Sequence, residues 1–440
     1  MFNYLFEGTI IHCPERLKLD VIENGFLHVQ DSKVKYIGNI KPENIPSNTV
    51  YYKLNRYQFL IPGFIDTHIH APQYPNVGLG YDAELLDWLK KYTFPTEVHF
   101  KNENYAKRIY TYIVSRTLKN GTTTAAYYAT IHLKSTIILA DIAEEKGQRS
   151  FIGFNNITDC APPELLQESN DVSIEETEKF IQTILDKNNK LVQPIVTPRS
   201  ALRCNEDLLK RLGDLAEKYQ LNIQTHISEN KKEVEAALEA YPGYKNFADI
   251  FDRNNLLTKK TVLGHGIHLD ENEKRTILER GSSIAHCPNS NVCLHSGFCD
   301  VRDLLNRGIN VGLGTDISGG CNPTILDAIR LSLITSNGVS FSKPEEDNYK
   351  PINYVEAFYL GTLGGAEALR IDDRVGNFNV GKEFDALLID LNSKDSPIDL
   401  DLKCEDDFTT KELFQKFIYL GDDHNIDKVF VAGRCVVEDR

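Results

Sequence analysis

The stretch Phe59-Leu60-Ile61-Pro62-Gly63-Phe64-Ile65-Asp66-Thr67-His68-Ile69-His70 runs an apolar segment into a closing His-x-His pair. It is the first of eight comparable runs. The others occupy residues 122–126, 151–153, 191–196, 221–226, 261–265, 283–286 and 309–314, each short and rich in apolar or β-branched residues. Longer stretches separate them, and in 106–119, 174–185, 206–219 and 325–336 apolar residues recur at three- and four-residue spacing. Short apolar runs alternating with amphipathic segments predict parallel strands joined by crossover helices. Eight of them predict an α/β fold, a (β/α)8 barrel of TIM type.

The two ends of the chain differ in texture, with short alternating runs such as 26–30 and 428–433. They predict one composite β-sandwich domain from residues 1–61 and 377–440, with the barrel spanning 62–376. No internal repeat or Pro-rich linker divides the chain. At 440 residues, 41% apolar and 25% charged, the composition is that of a soluble globular protein. The opening residues do not read as a secretory signal, and no apolar run is long enough to span a membrane. Nine cysteines without a Cys-x-x-Cys pair point to reduced thiols and a cytosolic (cytoplasmic) setting, with no structural disulfide. A net charge of -14, spread along the chain, repels polyanions and disfavours nucleic acid as substrate or partner. A nearly neutral free base meets no such barrier.

In a parallel barrel the loops at the C-terminal strand ends converge on one mouth, so reactive groups belong there. His68 and His70 close the first run, and strand alternation points both imidazoles the same way. His226 ends the fifth run, His265 the sixth, and Asp316 follows the eighth. Neutral imidazoles with a carboxylate suit zinc, although iron or another transition metal also fits these ligand types. Such an ion lowers the pKa of a bound water and predicts a hydrolase. Glu229, just past His226, is placed to move protons; the alternative is an exposed glutamate helping to cap a helix over 229–240. The fourth run ends in Thr197-Pro198-Arg199-Ser200, where Arg199 cannot bridge two metals but can offer a planar fork to a carbonyl and a ring nitrogen. A surface or ion-paired arginine is the other reading. The His-x-Glu and Pro-Cys-x-x-Cys signature of the other zinc deaminases is absent. Cys287 therefore reads as a packing thiol and His286 as part of the seventh loop.

Residues 62–74, Pro-Gly-Phe-Ile-Asp-Thr-His-Ile-His-Ala-Pro-Gln-Tyr, resemble the first-strand motif of the amidohydrolase superfamily, and within it of the guanine deaminases. Residues 91–95, 117–124, 226–230, 286–291 and 419–423 carry the same resemblance, which covers nearly the whole chain. It implies that His68, His70, His226 and Asp316 bind one Zn2+ per subunit and that His265 orients the attacking hydroxide. It further implies that Gln73 and Arg199 hold the base. Glu229 would carry a proton from water to a ring nitrogen, and Asp316 would take the second proton as the amine leaves. The implied reaction converts free guanine to xanthine and ammonia, in a homodimer. One position departs from the pattern: Ser200 stands where the family carries a phenylalanine that packs on the base. Trp88 or Tyr92 is the expected replacement. Deamination of an adenine-like base, a triazine or an S-adenosyl thioether, or a non-catalytic scaffold of the same fold, are the competing readings.

Overall fold

The computed structural model describes residues 2–343, 349–402 and 408–438; the remainder of the two terminal segments, and Cys404 with it, lies outside that description. The chain opens with β1 (Tyr4–Glu15), β2 (Lys18–Gln30), β3 (Lys33–Gly38), β4 (Val50–Lys53) and β5 (Gln58–Pro62). Eight strands follow in the order expected: β6 (Phe64–His70), β7 (Thr122–Tyr128), β8 (Arg149–Asn156), β9 (Val192–Pro198), β10 (Ile223–Ile227), β11 (Thr261–His265), β12 (Ser283–His286) and β13 (Asn310–Leu313). They form one all-parallel sheet in sequential order. The chain ends with β14 (Ala386–Asp390), β15 (Ile426–Val431) and β16 (Arg434–Val437).

The anticipated helices are present: Glu206–Tyr219 coincides with its periodic stretch, and Glu103–Lys119, Asn170–Asp186 and Ile325–Phe341 run beyond theirs. Their starts are set by side chains. Asn102, Ser169, Asn205 and Thr324 each accept a backbone N–H of the first turn, satisfying donors that a helix leaves open. The Glu206–Tyr219 helix shows why the pattern works, since Leu208, Leu209, Leu212 and Leu215 are buried together on its barrel side.

The first apolar run is not one strand, as the sequence suggested, but two strands in different sheets. Gly63 is the switch. Its N–H donates to Asp385 O at 3.0 Å in the terminal sheet, while Phe64 N donates to Gly121 O at 3.0 Å beside β7. A Cβ on residue 63 would fall 2.1 Å from Thr123 Oγ1, so only glycine lets the strands cross that closely. Strand β5 thus carries the terminal sheet through Pro62, one residue into the segment expected to open the barrel.

The terminal strands make a single eight-stranded sheet, in the order β16-β15-β14-β5-β1-β2-β3 with β4 on β1. Strands three places apart in a flat sheet stand about 14 Å apart. Yet Phe6 of β1 and Phe430 of β15 meet with ring centroids at 5.8 Å, so the sheet rolls over on itself around a core that includes Tyr4, Phe384 and Leu60. Arg149, at the start of β8, fastens this domain to the barrel. It is 2% exposed and donates through Nε and Nη2 to Asp385 at 3.0 Å each, and through Nη2 to Glu383 at 2.7 Å. Asp385 in turn accepts Ala432 N–H at 2.7 Å. Removing one partner of a buried pair strands the other's charge. Arg149→Met is therefore expected to lower unfolding free energy by about 3–5 kcal/mol, read from urea denaturation; a loss within experimental error would show that the carboxylates find other partners.

Candidate metal centre and binding cavity

The barrel is closed by contacts between its first and last strands, and these build the site. Thr67 Oγ1 donates to Leu313 O at 2.8 Å, Asp316 N to His68 O at 2.8 Å and His70 N to Ile317 O at 3.0 Å. Asp316 is thereby held beside both histidines of β6. Its Oδ1 lies 3.3 Å from His68 Nε2 and 3.3 Å from His70 Nε2. His226, from the end of β10, brings its Nε2 to 3.1 Å from His70 Nε2. All four residues are buried, and one donor atom from each lies within 4.8 Å of the others.

This cluster fits a cation. His226 Nδ1 faces Arg199 O at 2.7 Å, an acceptor only, so Nδ1 carries the proton and Nε2 presents a lone pair. Burial holds His70 and His226 well below the usual imidazole range and also lowers His68, so the rings are neutral. Inward-facing lone pairs repel one another, and among the described residues His68 Nε2 has no hydrogen-bond partner. A divalent ion resolves both facts.

Two glycines make room for it. A Cβ on Gly264 would lie 2.6 Å from the His68 ring, and one on Gly314 would lie 2.7 Å from His68 Cβ. Asp66 anchors the strand-end backbone: Oδ1 accepts His68 N at 3.2 Å and Thr315 N at 3.1 Å, and Oδ2 accepts the Thr315 hydroxyl at 2.5 Å.

The remaining groups gather on the open side. His265 Nε2 stands 3.4 Å from Glu229 Oε2 and 3.8 Å from Asp316 Oδ2, so Asp316 turns one oxygen to the imidazole cluster and the other to His265. His265 Nδ1 donates to Asn291 Oδ1 at 2.9 Å, which sets the ring's orientation. Glu229 is buried, not exposed, and the helix after it runs Lys231–Ala240 with Asn230 as its cap; the capping alternative falls. Burial, followed by the charges of Asp316 and Glu233, pushes Glu229 well above the ordinary carboxylate range. Burial alone would raise Asp316, but His68 beside it and the His265 ring outweigh that and move it down.

A cavity opens over these groups, lined among others by His70, Gln73, Arg199, Ser200, Glu229 and Asp316. Arg199 is ion-paired but not on the surface: it is 7% exposed and lines the cavity. Its partner is Glu97, which accepts Arg199 Nη1 on both oxygens, at 3.0 and 3.2 Å, and Gln73 Nε2 on Oε1 at 3.0 Å. Sequence reasoning missed Glu97. Of the two expected aromatic replacements only Trp88 lines the cavity; Tyr92 packs behind it in a cluster with Leu85 and Leu294. Phe94, not anticipated, lines it as well. Cys287 is a buried thiol donating to Ala285 O at 3.4 Å, and His286 is buried with neither ring nitrogen bonded.

An eight-stranded parallel barrel with this histidine and aspartate cluster at its C-terminal mouth defines a class, and residues 59–436 match the model of the amidohydrolase family. The chain belongs to that family. Guanine deaminases are among the similar proteins. The guanine deaminase of Homo sapiens is 45% identical over 99% of this chain and 96% of the human protein, and that of Dictyostelium discoideum is 43% identical over 98% of each. The solved structure of guanine deaminase from C. acetobutylicum with bound guanine in the active site superposes with a TM-score of 0.90 at 34% identity, covering 99% of this chain and 100% of that one.

The glycine requirement is testable apart from activity. Gly264→Ala is expected to displace the His68 ring and lower metal affinity about 10–100-fold, the range seen when ligand orientation is lost. Metal content after chelator competition reads this directly; unaltered content would mean the ring relaxes without consequence.

Proposed function

We propose that this protein hydrolyses guanine to xanthine and ammonia, with one zinc ion per subunit held by His68, His70, His226 and Asp316. The observation that carries the reading is the joining, in one cavity, of a buried cluster of neutral imidazoles and a carboxylate with a charged clamp of Arg199 and Gln73. Guanine deaminases similar over nearly the full chain support the substrate. The free thiols of the eight described cysteines agree with a cytosolic enzyme of purine catabolism, and the same reading includes a homodimer.

When bound, the ion lowers the pKa of a coordinated water toward neutrality and so supplies hydroxide. The chain's own groups do the rest. Glu97 occupies Arg199 Nη1 and Gln73 Nε2, which presets both side chains and leaves the remaining guanidinium donors for the carbonyl and ring nitrogen of the base. Trp88 and Phe94 offer ring surface that Ser200 does not. Glu229 accepts the proton of the attacking water and passes it to the base's ring nitrogen, its Oε1 having no other partner. His265, braced by Asn291, orients the attack. Asp316 Oδ2, on the His265 side, takes the second proton and returns it to the departing amine.

Ammonia release from guanine, adenine, cytosine and an S-adenosyl thioether at equal concentration tests the substrate, with guanine expected to react alone; turnover of another compound by fully metallated protein would overturn it. Glu229→Gln should keep the metal and lose about 10²–10⁴ in kcat, and substantial turnover would remove Glu229 from proton transfer. Trp88→Ala is expected to raise KM for guanine about fivefold, corresponding to ~1 kcal/mol of stacking, whereas Tyr92→Ala leaves it near the parent value. Equal effects, or none at Trp88, would place the base on Phe94 instead.

A further inference from the structure

Beside the metal cluster, the loops after β12 and β13 bring two thiols together. Cys293 ends the short Pro288–Cys293 helix, and Cys321 follows Gly319 and Gly320 in the segment that carries Asp316. Both Sγ atoms donate to one acceptor, Asn289 Oδ1, each at 3.2 Å, so the sulfurs lie within twice that distance of each other. The same oxygen accepts Cys321 N–H at 3.2 Å, and Asn289 Nδ2 is anchored to Asp327 at 3.0 Å. Cys321 is exposed and Cys293 half-buried. Neither takes part in the chemistry above, yet their neighbours do: Leu294 and Gly319 line the cavity, and Asn291 orients His265.

We propose that Cys293 and Cys321 form a dithiol that a hydroperoxide converts to a reversible disulfide, and that this bond acts as a brake on the adjoining cavity. When the Cys293 S–H turns from Asn289 to Cys321 it favours the thiolate there, and this neighbour holds the Cys321 thiol down to about 6, which makes Cys321 the attacking group. Its thiolate attacks one oxygen of hydrogen peroxide; the O–O bond breaks, the released hydroxide is protonated to water, and Cys321 becomes a sulfenic acid. Cys293 Sγ then attacks that sulfur, its proton going to the departing oxygen, and a second water leaves. Two thiols and one hydrogen peroxide give one disulfide and two waters, the sulfurs losing the two electrons the peroxide gains. A sulfur–sulfur bond of about 2.05 Å is shorter than any separation of two free thiols. Forming it draws the two loops together, breaks the thiol bonds to Asn289, and shifts Gly319 and Leu294 at the cavity wall.

The test treats the metal-loaded, full-length protein with one equivalent of hydrogen peroxide, blocks remaining thiols with N-ethylmaleimide, and maps peptides by mass. A cross-linked peptide joining Cys293 and Cys321, formed before Cys160 is modified, is expected; Cys160 is also exposed and serves as the internal control. Reaction at Cys160 first, or sulfinic acid at Cys321 without a bridge, overturns the site. Turnover of guanine should fall at least threefold with bridge formation and return with dithiothreitol. Cys293→Ser and Cys321→Ser should keep the parent turnover before and after peroxide. A bridge with unchanged turnover overturns the brake. The mapping needs no substrate, so its outcome is independent of the deaminase reading.

Discussion

The structure depends on the closure of the parallel sheet between its first and last strands. Without the bonds from Asp316 N to His68 O and from His70 N to Ile317 O, the carboxylate after β13 and the imidazoles of β6 would be edge residues of an open sheet. With them, groups contributed by the first and last strands of the sheet share one small volume. Closure also exacts strain, because Ser228, His265 and Asp316 all take left-handed backbone angles, φ 47°, 72° and 47°. For residues with a Cβ such angles cost of the order of 1–3 kcal/mol each. Those at the ends of β10, β11 and β13 are held there by the barrel that they furnish with functional groups.

Electrostatics then fixes how the site can be occupied. Five carboxylates, Glu97, Asp66, Glu229, Glu233 and Asp316, are buried at the mouth, while Arg199 and Arg203 line the cavity beside them, the Arg203 guanidinium 5.2 Å from the Phe94 ring. Glu97 is neutralised by Arg199 and satisfied by Gln73. Asp66, pushed up to about 7 by burial, is stabilised by three donors from the backbone and hydroxyl around it. Glu229 and Asp316 are left facing the imidazole cluster. That surplus of lone pairs and negative charge is what a divalent cation balances, and it sets the two carboxylates apart in behaviour: one pulled down by His68 and His265, the other driven up by its neighbours.

The terminal sheet contributes no lining residue to the cavity, but it holds the barrel's far side. Strand β5 passes into β6 through a single glycine, and Arg149 joins β8 to Glu383 and Asp385. The strand that bears His68 and His70 therefore starts from a fixed point in the second sheet. Among the described residues, no helix is long and apolar enough to cross a membrane.

What the sequence by itself determined is the barrel and the strand-end positions of the histidine and aspartate cluster. Each barrel strand is a short local apolar run, each helix a local run of period 3.6, and the topology of a parallel barrel places whatever follows a strand at the mouth. His68, His70, His226, His265 and Asp316 could be found that way because strand ends are visible one run at a time. Only the tertiary structure could divide residues 58–70 between two sheets, since the apolar pattern continues across Gly63 and the break is made by contact with Thr123. It alone revealed Glu97 and Asn291, whose partners stand 102 and 26 residues away in the chain. It also separated Trp88 from Tyr92. Four residues apart, they would share a face of an α-helix, but Leu89–Thr93 winds as a wider π turn that rotates Tyr92 away from the cavity. Local pattern carries backbone geometry, whereas the pairing of buried side chains is decided by which elements the closed barrel brings into contact.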